Sequence, residues 1–388
     1  MAGVFSRRTS WTSSENRIAK AVRSRQAHGL PLLDLTETNP TRVGLGLPEE
    51  ILREAALDPA ALRYEPDPLG RRDAREAVSR YHGTRVPPER IVLSASTSEA
   101  YSQLFTLLCD PGDRILVPNP SYPLFEYLAG IASVEVEGYS SFPFDGWHVD
   151  LEELEMKVGP KTRAVLVVAP NNPTGAMLHK RELSVIADIC RRHELALIAD
   201  EVFADYTIGL DPHRVPTLAG HAGCLTFVLS GLSKVCLTPQ LKVGWTLVSG
   251  PRRKASEALS RLEILADTFL SVSTASQLAV PKLLEARATI QAPLRARLEA
   301  NREQLVRALE GTAADVLRSD GGWSAVVRVP ATRSEEDWVL ALLKADGVLV
   351  HPGFFFDFAR EAYLILSLIV EESVFQLAAQ RLAEHARA

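Results

Sequence analysis

The sequence predicts an α/β protein with a large domain, built on a mostly parallel, doubly wound sheet, and a smaller α+β domain. Three observations carry this reading. Through the middle of the chain, short runs rich in Val, Ile and Leu alternate with helical patterns. Such runs, apolar on both faces, are what strands buried between two helix layers require. Chemically varied polar residues fall just after these runs, where open parallel sheets place ligands. From about Leu284 the character changes to a long Arg- and Leu-rich helix followed by alternating strand patterns.

Composition sets the outer bounds. With 388 residues, 46% hydrophobic and 23% charged, the chain has the balance of an ordinary globular protein with room for two domains. A formal net charge of −5 gives no electrostatic case for nucleic acid or an anionic membrane. No run reaches the length of a membrane span. Cys109, Cys190, Cys224 and Cys236 form no CxxC pair and no metal-ligand spacing. They read as buried free thiols in a reducing, cytoplasmic setting.

Residues 1–40 read as an N-terminal arm and a helix. Thr12 and Glu15 have capping-box spacing, Ile18 and Val22 lie four apart, and Gly29 with Pro31 stops the helix. Residues 41–283 read as the large domain. Its strands are expected at 90–94, 114–117, 164–169, 195–199, 224–229 and 244–249, with helices such as 98–109 and 180–193 between them. Residues 284–388 read as the small domain. It holds a helix over 284–309, a strand in GGWSAVVRVP, a helix near 335–345, a segment at 348–358, a strand at 362–368 and a final helix. A cleft between the two domains follows.

The strand ends carry the chemistry. The first run closes into Ser96-Thr97-Ser98, the second into PNPSYP with Tyr122, and the third into Asn171-Asn172-Pro173-Thr174-Gly175. The fourth closes into Asp200-Glu201 and the fifth into SGLSK, ending at Lys234. Singly, these are an N-cap, a turn, a cap and a solvated lysine. Jointly, they suit pyridoxal 5′-phosphate. Small hydroxylated residues opening a helix donate to a phosphate. A carboxylate keeps the pyridine nitrogen protonated, so that the ring acts as an electron sink. An aromatic ring stacks on the pyridine, an amide donates to the phenolic oxygen, and a lysine forms the Schiff base and moves the α-proton.

In this order the motifs resemble those of the class I/II aminotransferases, enzymes of pyridoxal-phosphate fold type I. The likeness runs from TETNPT at Asn39 through Y-x-x-x-x-G at Tyr64, STSEAY, PSYP, NNPTG, ADEVFADY, SGLSK and KVGW to the final helix. It implies that Lys234 is the Schiff-base lysine, Asp200 the partner of the pyridinium nitrogen and Asn172 the donor to the phenolic oxygen. Tyr122 is similar to the stacking ring, and Ser96, Thr97 and Ser98 resemble the phosphate loop. Tyr64 stands where the family reaches the phosphate of a neighbouring subunit, which implies a homodimer with shared active sites. Ser271 to Thr274 lie where a further cross-subunit contact is often found. Asn39 is the first candidate at the substrate.

Three positions depart from the family pattern. Lys242 replaces the usual arginine at the phosphate, keeping the charge but losing the bidentate fork. Phe203 replaces a tyrosine that donates to the phenolic oxygen, with Tyr206 a possible substitute. Ile365, in Tyr363-Leu364-Ile365-Leu366-Ser367-Leu368, stands where Y-L-R-L-S-F in many relatives holds the substrate carboxylate. Either another cation replaces that arginine, with Arg328 the first candidate and Arg360 next, or the substrate is not an ordinary α-amino acid. Trp323 and Phe354-Phe355-Phe356 line an apolar substrate pocket or belong to the small-domain core, and His351 faces the cleft or is structural.

The function these readings imply is transfer of an amino group between an amino acid or related amine and a 2-oxo acid. The alternative is another reaction of the same cofactor, such as elimination, replacement or carbon–carbon bond formation, because fold does not fix reaction. A DNA-binding regulator is not expected, since the roughly forty residues before Asn39 read as one helix rather than a helix-turn-helix. A serine hydrolase built on SxxK is excluded by Gly231, three residues before Lys234.

Overall fold

The computed structural model describes residues 4–11, 15–46, 48–209, 211–360 and 362–387. Thr12, proposed above as a helix cap, lies outside them. The first long helix, Arg17–Ala27, is capped by Asn16, whose Oδ1 accepts from Ala19 N at 2.7 Å.

The large sheet has eight strands: β1 (Ile91–Ser94), β2 (Arg114–Asn119), β3 (Glu135–Pro143), β4 (Trp147–Val149), β5 (Thr162–Val168), β6 (Ala196–Asp200), β7 (Thr226–Gly231) and β8 (Gly244–Ser249). Their spatial order is β1-β8-β7-β6-β5-β2-β3-β4. The run β7-β6-β5-β2-β3 is parallel throughout, while β8 is antiparallel to both its neighbours and β4 to β3. Residues alternate between the two faces, as strand geometry demands. In β6, Leu197 and Ala199 join a core with Trp245 and Leu247, whereas Ala196 and Ile198 join one with Phe105 and Phe227. Each of the six expected runs is a strand, shifted by a residue or two at most ends. The pair β3–β4 was not foreseen, because β3 (EVEGYSSFP), next to the edge strand, is half-exposed with no apolar run.

The small sheet is antiparallel, β9 (Asp315–Val316), β10 (Ser324–Arg328), β11 (His351–Pro352) and β12 (Tyr363–Ser367), in the order β9-β10-β12-β11. The helices Glu335–Asp346 and Glu372–Arg387 cover it. The N-terminal helix packs there too. Ile18 and Leu35 share a core with Trp338 and Leu364, and Arg17 pairs with Glu336 at 2.7 Å. Leu33–Asp34 pairs in parallel with Val348–Leu349. The helix Thr274–Leu309 runs unbroken past residue 284, with Leu283 and Leu284 in the large core and Leu294 and Leu298 in the small one. Among the described residues no helix is long and apolar enough to cross a membrane.

Buried under β8, Trp245 donates its indole N–H to His82 Nε2 at 3.1 Å. Burial pushes the His82 imidazolium down to about 4, helped by the positive Arg85 nearby. The unfolded chain therefore binds a proton that the folded chain refuses. The stabilisation from a neutral His82 is complete above about pH 6.5 and falls as the pH drops towards 4. Urea unfolding should show the protein losing roughly 3 kcal/mol more between pH 7 and pH 4 than a His82→Gln variant, which keeps an acceptor without a titration. Equal losses would contradict this account.

Candidate active site

Because β1, β2, β5, β6 and β7 point the same way, their carboxyl ends share one edge of the sheet. The small domain closes over that edge. Ser121 N–H, after β2, donates to Phe356 O at 3.0 Å, and Gly322 N–H to Tyr206 O at 2.9 Å. Between the two lies a cavity of about 780 Å³, within the range of small-molecule sites.

At its floor, Asp200 ends β6 and Lys234 follows β7, its immediate neighbour, with Asp200 in register with Leu229. Asp200 is buried; Tyr101 Oη donates to its Oδ2 at 2.7 Å and Val202 N–H to its Oδ1 at 3.1 Å. Burial raises its carboxyl, while Tyr101, Val202 and the Lys234 charge hold it down. Part of Lys234 opens onto the cavity, yet packing round its ammonium pushes it down to about 8, against the pull of Asp200. Its Nζ stands 4.6 Å from the Trp323 ring centre and 5.6 Å from that of Phe203. A lysine lowered this far supplies neutral amine near neutral pH, the form that attacks a carbonyl.

On the wall formed by β1, Ser96 caps the helix Thr97–Leu108, its Oγ accepting from Glu99 N at 3.2 Å. The first turn thus presents N–H groups and the hydroxyls of Thr97 and Ser98 at the positive end of a helix. Gly244 makes room for this loop. A Cβ there would come within 2.9 Å of Ser96 C and 3.1 Å of Thr97 N. Tyr122, Asn172 and Phe203 line the remaining walls. A hydroxyl-and-amide anion cradle, a buried carboxylate and a lowered lysine within one cavity fit an aldehyde-bearing aromatic cofactor with a phosphate tail.

Other expected residues stand elsewhere. Arg328, the first candidate for a substrate cation, ends β10 on the surface and pairs with Asp315 at 2.6 Å, outside the cavity. Its β10 position, with the guanidinium at the far edge, leaves it no reach. Asn39 turns back on its own chain, its Oδ1 accepting from Thr41 N at 3.0 Å, and Thr36 and Thr38 line the cavity instead. Arg360 is exposed and outside the lining, and Lys242 is exposed in left-handed backbone beside Val243, which does line it. Tyr206 cannot stand in for the missing tyrosine hydroxyl, because its Oη donates to Lys234 O at 2.8 Å. Tyr64, 81% exposed, borders a separate groove with Leu270 and Ser271. Ile365, Trp323, His351 and the run Phe354–Phe356 all line the cavity.

Tyr101 went unread in the sequence. It closes STSEAY four residues after Thr97, one turn into a helix that packs on the sheet, and that spacing was the available signal. Its burial between helix and sheet, with its hydroxyl on the neighbouring strand's carboxylate, required the fold.

The sequence profile of the family "Aminotransferase class I and II" matches residues 32–382. The chain is 30% identical over 272 residues to the glutamate-pyruvate aminotransferase AlaA of Escherichia coli strain K12, covering 69% of this chain and 67% of that protein. It is 32% identical over 274 residues to an alanine aminotransferase of Mycobacterium tuberculosis, covering 69% of this chain and 63% of that protein. In three dimensions it resembles the crystal structure of an aminotransferase from Escherichia coli, with a TM-score of 0.88, 25% identity and coverage of 100% of this chain and 98% of that one.

The coupling between the two floor residues is directly measurable. In cofactor-free protein, the pH profile for acylation of Lys234 should move to lower pH in Asp200→Asn, because the carboxylate that favours the ammonium is gone. A profile that stays put or rises would show that the two groups do not interact.

Proposed function

The chain belongs to the class I and II aminotransferases, and we propose that Lys234 is the residue on which this pyridoxal-phosphate-dependent enzyme holds its cofactor. It is a transferase of amino groups, and amino acids and 2-oxo acids are the substrates that fit its family. When bound, pyridoxal phosphate supplies an aldehyde for a Schiff base with lysine and a ring that draws electrons from the reacting carbon.

The remaining work falls to the chain's own side chains. Asp200 holds negative charge where a pyridine nitrogen needs it, and Tyr101 keeps that carboxylate aimed and charged. Ser96, Thr97 and Ser98 offer donors to the phosphate, with Lys242 as a point charge beyond the loop. Tyr122 offers a ring face and Asn172 an amide, while Phe203 offers only apolar contact. Once freed, Lys234 Nζ is the base in place to take a proton from the substrate carbon and return it. The observation that carries this reading is the lysine with a lowered ammonium at the cavity floor, just after β7, beside the buried carboxylate that ends β6.

A homodimer with shared sites belongs to the same proposal. Tyr64 is exposed beside Leu270 and Ser271, and Leu62 and Phe269 are exposed as well. An exposed group of large apolar side chains is the usual mark of a surface that another subunit covers. A cytoplasmic enzyme agrees with the four free cysteines.

Two experiments test this. Borohydride reduction of the loaded protein should fix the cofactor on the peptide carrying Lys234, and Lys234→Ala should lower turnover by at least roughly 10²–10⁴-fold. A label on any other lysine would refute the assignment. Sedimentation should show a dimer, and Tyr64→Ala should weaken cofactor affinity roughly 10–100-fold while the dimer persists. A monomeric wild-type protein with unchanged affinity in the variant would defeat the shared site.

A further inference from the structure

The cavity is poor in positive charge. Among the described residues lining it there is no arginine, and its one lysine is Lys234. His351 lies directly across from Ile365 in the β11–β12 pair, but burial lowers its imidazolium despite the pull of Asp34, so the ring is neutral at neutral pH. The other ionisable groups on the walls are of the opposite sign. Glu126 and Asp357, both exposed, line the place where the cavity adjoins a second pocket, and Asp200 is at the floor.

The wall that the small domain supplies is apolar. Ile365 is 2% exposed and packs in one cluster with Val326 and Phe356; Trp323, Phe354 and Phe355 continue the surface. A substrate carboxylate entering here would leave water without a counter-ion from this chain. An apolar or aromatic body would bury surface against these same side chains.

We propose that the amine this site prefers, and its carbonyl counterpart, carry an apolar or aromatic body and no carboxylate on the reacting carbon. The proposal rests on the assignment of the cofactor to Lys234. The half-reaction balances without any further reagent. The donor R–CH(NH2)–R′ gives its amino group and one hydrogen to the cofactor aldehyde and receives that aldehyde's oxygen, becoming R–CO–R′. The two-electron oxidation of the donor carbon matches the reduction of the aldehyde carbon to an amine. Ile365 is then a specificity-determining residue, because it is a buried wall residue where a long cation would put its charge into the cavity.

Matched ligands decide the matter. Binding of 3-phenylpropanol and of 3-phenylpropionate to the wild-type holoenzyme is read from tryptophan fluorescence, since Trp323 lies in the wall. Conversion of the cofactor's absorbance is followed with phenylalaninol and with phenylalanine. The expected result is at least a tenfold preference for the member without a carboxylate in both measurements, and a reversal of that preference in Ile365→Arg. Equal affinities, or a preference of the wild type for the carboxylates, would overturn the proposal while leaving the Lys234 assignment intact. Failure of borohydride to tether the cofactor at Lys234 would remove the assignment and the proposal together. If Ile365→Arg does not fold, the wild-type comparison alone is decisive.

Discussion

The structure turns on holding a lysine and a carboxylate together in a place neither charge would choose alone. Asp200 ends β6 and Lys234 follows β7, and the parallel pairing of these strands sets their separation. Burial pushes the carboxyl up and the ammonium down, so each makes the other's charged form cheaper. Only a rigid support can hold such a pair. The support is the centre of the sheet, where every residue of β6, β7 and β8 is buried and both faces are packed against helices.

The rest of the site is arranged around this pair by backbone direction. Parallel strands bring distant residues to one edge, so that Ser96, Tyr122, Asn172, Asp200 and Lys234, far apart in sequence, line one cavity. Glycine supplies the clearance where these segments meet. Gly231 and Gly244 face each other across β7 and β8, and a side chain on Gly244 would press on the loop at Ser96. Tyr101 adds a brace from the helix layer, joining a side chain of one core to the carboxylate of the neighbouring strand.

The small domain gives the site its individuality. It brings Trp323, Ile365 and Phe354–Phe356 into the cavity wall, Trp323 against Lys234, and withholds Arg328, which stays on the surface of β10 with Asp315. The floor and the apolar wall thus come from different parts of the chain.

Periodicity and strand-end chemistry determined the fold class, the six buried strands and the group of polar residues at their ends. These are local properties: an apolar run, a cap, a breaker or a lysine after a strand can be read from a few residues at a time. The strand β3 was not legible, since half-exposed residues leave no apolar signature. Only the tertiary structure decided that Tyr101 meets Asp200, that Tyr206 is spent on Lys234 O, and that Arg328 turns outward while Ile365 faces the cavity. The reason is physical. Which side chains meet across the cleft depends on strand register and on how one domain closes over the other, and both are settled by packing between segments hundreds of residues apart.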